Sequence, residues 1–232
     1  YNVIARGEPM QNFESSRLGL YIKKNPVTAW MIAMNFIMDI VILMSGGFTS
    51  VNLLNSGALN PILVREGKDY YRLLTAMFLH GNIFHFLMNA YALYNIGSFL
   101  ERVVGPKIYA LLYLLSGIVS SIAVVLFAHP LSITIGASGS IFGLMGALFL
   151  LSFMRQDWFP AQIRSSLVQL LVINLFITFM IPFISVPGHI GGLLAGMMII
   201  FIVAPKYPFG QKRMYEFLKK QKKDDDQDQW YS

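Results

Sequence analysis

The chain has 232 residues, of which 55% are hydrophobic and only 13% charged, with a net charge of +6 and no cysteine. A soluble domain carries about 25% charged residues, so this composition describes a membrane protein. The missing cysteine excludes a disulfide framework, a thiolate zinc site and cysteine catalysis.

A helix that crosses a bilayer needs roughly 20 mainly apolar residues. Residues 1–27 hold no such run and read as a short polar lead-in; a start at Tyr1 rather than Met raises the expectation of a trimmed product. The first span covers 28–46. A long loop, 47–82, follows; its apolar stretches at 61–64 and 73–79 are too short to cross, so it lies in the interface or dips partway. Further spans are expected at 83–100, 108–128, 135–154, 167–184 and 189–204, the last being the shortest. Barrel strands would alternate apolar and polar residues. These runs are apolar throughout, which predicts an all-α bundle of six transmembrane helices over 28–204. The tail, 205–232, begins as a basic amphipathic stretch and ends in Asp224, Asp225, Asp226 and Asp228, a solvated segment with no spaced partners for a metal.

Lys and Arg orient the bundle, because they collect on the cytoplasmic side. Of the 18, only Arg65, Lys68 and Arg72 fall in loops opposite the N-terminus. Both termini are therefore expected in the cytoplasm. The basic excess then serves insertion and contact with anionic lipid rather than nucleic acid.

Polar side chains inside a bilayer are costly and mark function. His85 lies about two residues into the second span, and Asn89 is one turn deeper, about 6 Å at the helical rise. Ser138 opens the fourth span in Gly136-Ala137-Ser138-Gly139. His189 opens the sixth in Gly188-His189-Ile190-Gly191-Gly192. These three spans run in the same direction, so all four side chains share one depth, in the outer third of the membrane. Gly139 and Gly143, and Gly192 and Gly196, have the spacing that lets membrane helices approach closely. Taken alone, that spacing better describes ordinary helix packing. With the matched depth, it predicts one site joining Ser138 to His189.

The chemistry follows by elimination. No Glu stands beside a His as a metalloprotease helix needs, and an aspartyl pair is missing because Asp39 alone is truly intramembrane. A serine nucleophile remains, with His189 taking the Ser138 proton and returning it to the leaving amine. Asp39 and Glu101 are badly placed to orient His189, so a Ser-His dyad is expected. The Ser138 amide, His85 and Asn89 are candidate oxyanion donors. Phe142, one turn below Ser138, is a candidate to stack on the imidazole or simply to pack in the core. No cofactor or metal is implied.

These residues resemble the rhomboid family of intramembrane serine proteases. The resemblance lies in Gly136-Ala137-Ser138-Gly139, in His189 with its glycines, and in His85-Phe86-Leu87-Met88-Asn89 with His80 ahead of it. Tyr71-Arg72 is similar to the family's aromatic-Arg motif. The resemblance implies Ser138 as nucleophile and His189 as base, with His85, Asn89 and the Ser138 amide around the oxyanion. It implies His80, Gly136, Gly139, Phe142 and Arg72 as supporting residues, the 47–82 loop as an interfacial anchor, and the fifth span with 185–188 as a gate. Phe142 departs from the Tyr common in the family. Implied partners are the bilayer and single-span membrane proteins cut near the outer face, with oligomeric state left open. Two rivals stand beside this reading: a catalytically inactive relative that binds membrane proteins, and a transporter using the same polar groups.

Overall fold

The computed structural model describes residues 16–211. The first residues of the lead-in and the Asp-rich end of the tail lie outside them. Within the lead-in, a helix that the sequence reading did not foresee, α1 (Arg17–Lys24), is capped by Ser16, whose hydroxyl accepts the Gly19 N–H at 3.0 Å. It is about two turns, with Arg17, Lys23 and Lys24 around Leu18, Leu20 and Ile22, too short to register as an apolar run.

Helix α2 (Pro26–Ser45) begins on a proline, which lacks only an N–H that has no partner in a first turn. The Glu101 carboxylate caps it from afar, accepting the Val27 and Thr28 N–H groups at 2.9 and 2.8 Å and the Thr28 hydroxyl at 2.7 Å. The 47–82 loop is folded rather than open. It holds α3 (Ser50–Asn55), α4 (Pro61–Arg65) and α5 (Arg72–Thr75), the last running into a 3₁₀ turn at Ala76–Phe78. Arg72 is buried at its centre, donating to the Leu54 and Ala58 carbonyls and pairing with Asp69 at 2.9 Å. Its guanidinium therefore ties the loop to itself instead of reaching outward.

The second span is a rod made of α6 (Ile83–Ala92), a π-helical turn at Leu93–Gly97 and α7 (Ser98–Val104). Then come α8 (Pro106–Phe127), α9 (Ser138–Met154), α10 (Ala161–Met180) and α11 (Val186–Val203). Among the described residues four helices, α2, α8, α10 and α11, are long and apolar enough to cross a membrane, while α9, with 17 residues, is shorter. The described residues contain no strand beyond one isolated bridge between Leu59 and Thr134. Large apolar side chains such as Trp30, Phe36, Leu126, Phe176 and Ile202 face outward, as they do where the solvent is lipid.

Several boundaries differ from the sequence reading, most of all at α10 and α11. Helix α10 starts six residues earlier than expected, directly after Pro160, because its first turns carry Gln162, Arg164, Ser165 and Ser166 and so hide from an apolarity scan. It stops at Met180 because Pro182 forces Ile181 into an extended conformation, φ −93° and ψ 117°. Helix α11 starts at Val186 with Pro187 in its first turn and the Ser185 hydroxyl accepting the Gly188 N–H at 3.3 Å.

Helix α9 is the axis of the bundle, with residues 139–148 buried throughout. Its largest helix contact is with α11. A Cβ on Gly192 would overlap the Gly139 carbonyl oxygen, and one on Gly196 would overlap that of Gly143. The glycine spacing seen in the sequence thus becomes backbone-to-backbone contact, and this seam brings the first turns of α9 and α11 together.

Candidate active site

Ser138 is the first residue of α9 and His189 the fourth of α11. The Ser138 Oγ lies 2.9 Å from His189 Nε2. The other imidazole nitrogen, Nδ1, lies 2.9 Å from the Thr178 hydroxyl, and that hydroxyl donates to the Asn174 carbonyl at 2.7 Å. One proton cannot serve two acceptors, so the Thr178 oxygen accepts from Nδ1–H. The neutral ring then offers a bare Nε2 to the Ser138 hydroxyl. The Phe142 ring stacks on the imidazole, centroids 4.0 Å apart and 19° from parallel. His189 is 8% exposed.

A second pair of side chains approaches from α6. Gly136, two residues before Ser138, has φ +118°, a conformation that L side chains rarely adopt, and a Cβ there would lie 2.8 Å from His85 Nε2 and 3.4 Å from Asn89 Nδ2. Gly136 is thus required both by its backbone and by the close approach of these two groups. Asn89 is buried, and its Nδ2 has no partner among the described residues. A buried amide donor without a partner costs about 1–3 kcal/mol. It is retained here facing the backbone just ahead of Ser138.

Ser138, His189, His85, Asn89 and Ser140 line a single cavity of about 790 Å³. Its lining reaches both α6 and α10, with Met88 and Ala92 from the one and Asn174 and Ile177 from the other. Of the residues singled out in the sequence, Gly136, Gly139 and Phe142 also line this cavity. His80 and Arg72 do not. His80 is fully buried behind His85, against Asp39, and Arg72 sits in the folded loop. Thr178 was missed in the sequence. Its only signal is a hydroxyl four residues after Asn174, spacing that puts both on one face of an otherwise apolar helix.

The Rhomboid domain profile matches residues 67–206. The chain belongs to the rhomboid family. It is 35% identical over 175 residues to Rhomboid protease GluP of Bacillus subtilis, covering 75% of this chain and 34% of that protein. It is 38% identical over 161 residues to RHOMBOID-like protein 6, mitochondrial, of Arabidopsis thaliana, covering 68% of this chain and 51% of that one. Inactive rhomboid protein 2 of Homo sapiens matches at 32% over 157 residues, covering 67% of this chain and 18% of that protein. The chain therefore spans no more than about half the length of these relatives. A rhomboid is a multi-pass helical membrane protein, and by these names the family holds both proteases and inactive members.

Proposed function

We propose that this rhomboid is an intramembrane serine endopeptidase that cuts single-span membrane proteins near the outer face of the cell membrane, with both of its own termini in the cytoplasm. The observation that carries the reading is the 2.9 Å contact between Ser138 Oγ and His189 Nε2. An inactive relative needs neither the contact nor a tautomer set for it. In the forward step Ser138 Oγ bonds to the scissile carbonyl carbon as its proton passes to Nε2. The electron pair of the carbonyl moves onto its oxygen, giving a tetrahedral oxyanion. The Ser138 amide, His85 and Asn89 Nδ2 surround that oxygen, each donor being worth roughly 3 kcal/mol of barrier. Collapse breaks the C–N bond, and Nε2 protonates the leaving amine. A water molecule, deprotonated by His189, then hydrolyses the acyl-enzyme and restores the serine.

Water must reach a site set among apolar helices, and the cavity supplies a polar route along His85, Asn89 and Ser140. The same cavity's extension between α6 and α10 is where a substrate segment would enter. A helical substrate hides its peptide bonds, so segments weakened by Gly, Ala or Pro near the cut fit best.

The test joins a fluorophosphonate probe to cleavage of single-span substrates in liposomes. Labelling and cleavage by the native chain, both lost in Ser138→Ala and His189→Ala, are expected. Absence of labelling and cleavage by the native chain, or unchanged turnover in either variant, would overturn the assignment.

A further inference from the structure

Asp39 lies well inside α2, is 5% exposed and takes no part in the chemistry above. A carboxylate within a membrane helix is expensive and tends to have a named partner. Both of its oxygens meet one residue: Oδ1 accepts the backbone N–H of His80 at 3.2 Å, and Oδ2 lies 3.2 Å from His80 Nδ1. The Nδ1 contact is not aligned as a hydrogen bond and acts through charge: a carboxylate beside Nδ1 favours the proton on that nitrogen and opposes rotation of the ring. The His80 ring, fully buried, stands nearly perpendicular to that of His85, at 82° with centroids 5.0 Å apart, and Phe86 closes its flank at 5.7 Å. On its other side His85 meets Gly136. His85 itself has no ring hydrogen bond among the described residues, so these two neighbours are what orient it.

We propose that Asp39 and His80 form a buried clamp that sets the direction of the His85 imidazole, making Asp39, through His80, a positioning residue for the oxyanion. The inference rests on the protease reading and on His85 as an oxyanion donor. A purely structural staple between α2 and the turn at His80 would use the same bonds, so the test must separate the two.

The test uses the full chain in liposomes. Asp39→Asn keeps an oxygen for the His80 backbone N–H but removes the charge beside Nδ1, so the His80 ring loses its preference for a proton there. The expected result is a fall in kcat of about tenfold, with KM changed less than about twofold and no loss of folded protein. In a His85→Ala background the same substitution should cost less than about twofold, since the group it positions is already gone. Should Asp39→Asn fail to fold, His80→Asn keeps a nitrogen donor towards Asp39 while removing the ring, and is expected to give the same loss of kcat. Full activity in either folded variant, or a cost that multiplies in full on top of His85→Ala, would overturn the clamp. A readout free of catalysis completes the test. The chain has four histidines, and nitrogen-15 spectra should find His80 protonated at Nδ1 in the native chain and mixed in Asp39→Asn. Protonation at Nε2 would overturn the clamp. Cleavage by Ser138→Ala, by contrast, would sink the protease reading and leave the tautomer to decide this one.

Discussion

Helices α10 and α11 are neighbours of similar apolarity, with mean hydropathy 1.7 and 2.0, yet they are held in very different ways. Only 11% of the apolar stretch of α10 is buried, against 39% for α11. Helix α11 lies backbone to backbone on α9 through Gly192 and Gly196. Helix α10 buries two side chains, Leu171 and Thr178. Apolarity puts both helices in the membrane, where lipid tails are as apolar as leucine and give no reason to associate. Close approach decides which helix is welded and which is loose. Ser138 and His189, the proposed nucleophile and base, sit on the welded seam, and one wall of the cavity on the loose helix. Thr178 joins the two, because a residue of the loose helix bonds the His189 ring of the rigid one. Displacing α10 to admit a substrate would therefore release His189 Nδ1 from its partner.

The seam is broken most directly with Gly196→Val. The new atoms meet the Gly143 carbonyl, which is backbone and cannot rotate away. Overpacking of this kind costs about 3 kcal/mol or more, and with the seam open the contact between Ser138 and His189 goes too. Expected are loss of the folded form in detergent and no cleavage. A folded, active Gly196→Val would mean the seam is not what brings the two residues together.

One substitution made on both helices sharpens the contrast. Leu148 of α9 is 2% exposed and Leu171 of α10 is 8% exposed, so side-chain burial alone predicts similar costs. Leu148→Ala opens a void among helices that cannot close on it and should cost about 3–4 kcal/mol. Leu171→Ala lies on a helix free to settle or to detach locally, and should cost less than about 2 kcal/mol. Thermal unfolding in one detergent measures both. Equal costs would show that α10 is as firmly held as α9.

Much of this was legible in the sequence, and the rest has physical reasons for staying hidden. Long apolar runs reveal helices, so α2, α8 and α11 were placed to within a few residues. The glycine spacing and the shared depth of Ser138 and His189 singled out a pair that the coordinates bring to 2.9 Å. The polar first turns of α10 carry no apolarity and were missed. So was Thr178, since a threonine that bonds back to its own helix is common in membranes and marks nothing by itself. Asp39 stood out as an anomaly, but its partner lies 41 residues away, a pairing that no local pattern encodes. For Arg72, the motif named a supporting residue, while only the fold reveals that its bonds point inward.

The bridge between the two regions is tested by Thr178→Val, which keeps the shape and removes the oxygen. His189 Nδ1–H then has no acceptor, the ring loses its preference for a bare Nε2, and part of the population turns the wrong tautomer towards Ser138. The expected loss is about tenfold in kcat, equivalent to about 1.4 kcal/mol of barrier, with KM and unfolding temperature little changed. Thr178→Ser, which restores the oxygen, should recover most of the rate. Full activity in Thr178→Val would leave His189 oriented by packing alone.

Packing is the remaining support, and its share is measured at Phe142. The ring is 5% exposed and its face lies on the imidazole at 4.0 Å, while part of the residue lines the cavity. Phe142→Tyr keeps the face and adds only a hydroxyl, so kcat should stay within about threefold of the native value. Phe142→Leu removes the stacked face, worth about 0.5–1.5 kcal/mol, and should lower kcat by up to about tenfold. If Leu and Tyr behave alike, the ring is only a filler, and orientation of the base passes entirely to Thr178. A loss larger than that of Thr178→Val would instead place the main support for His189 on the welded seam.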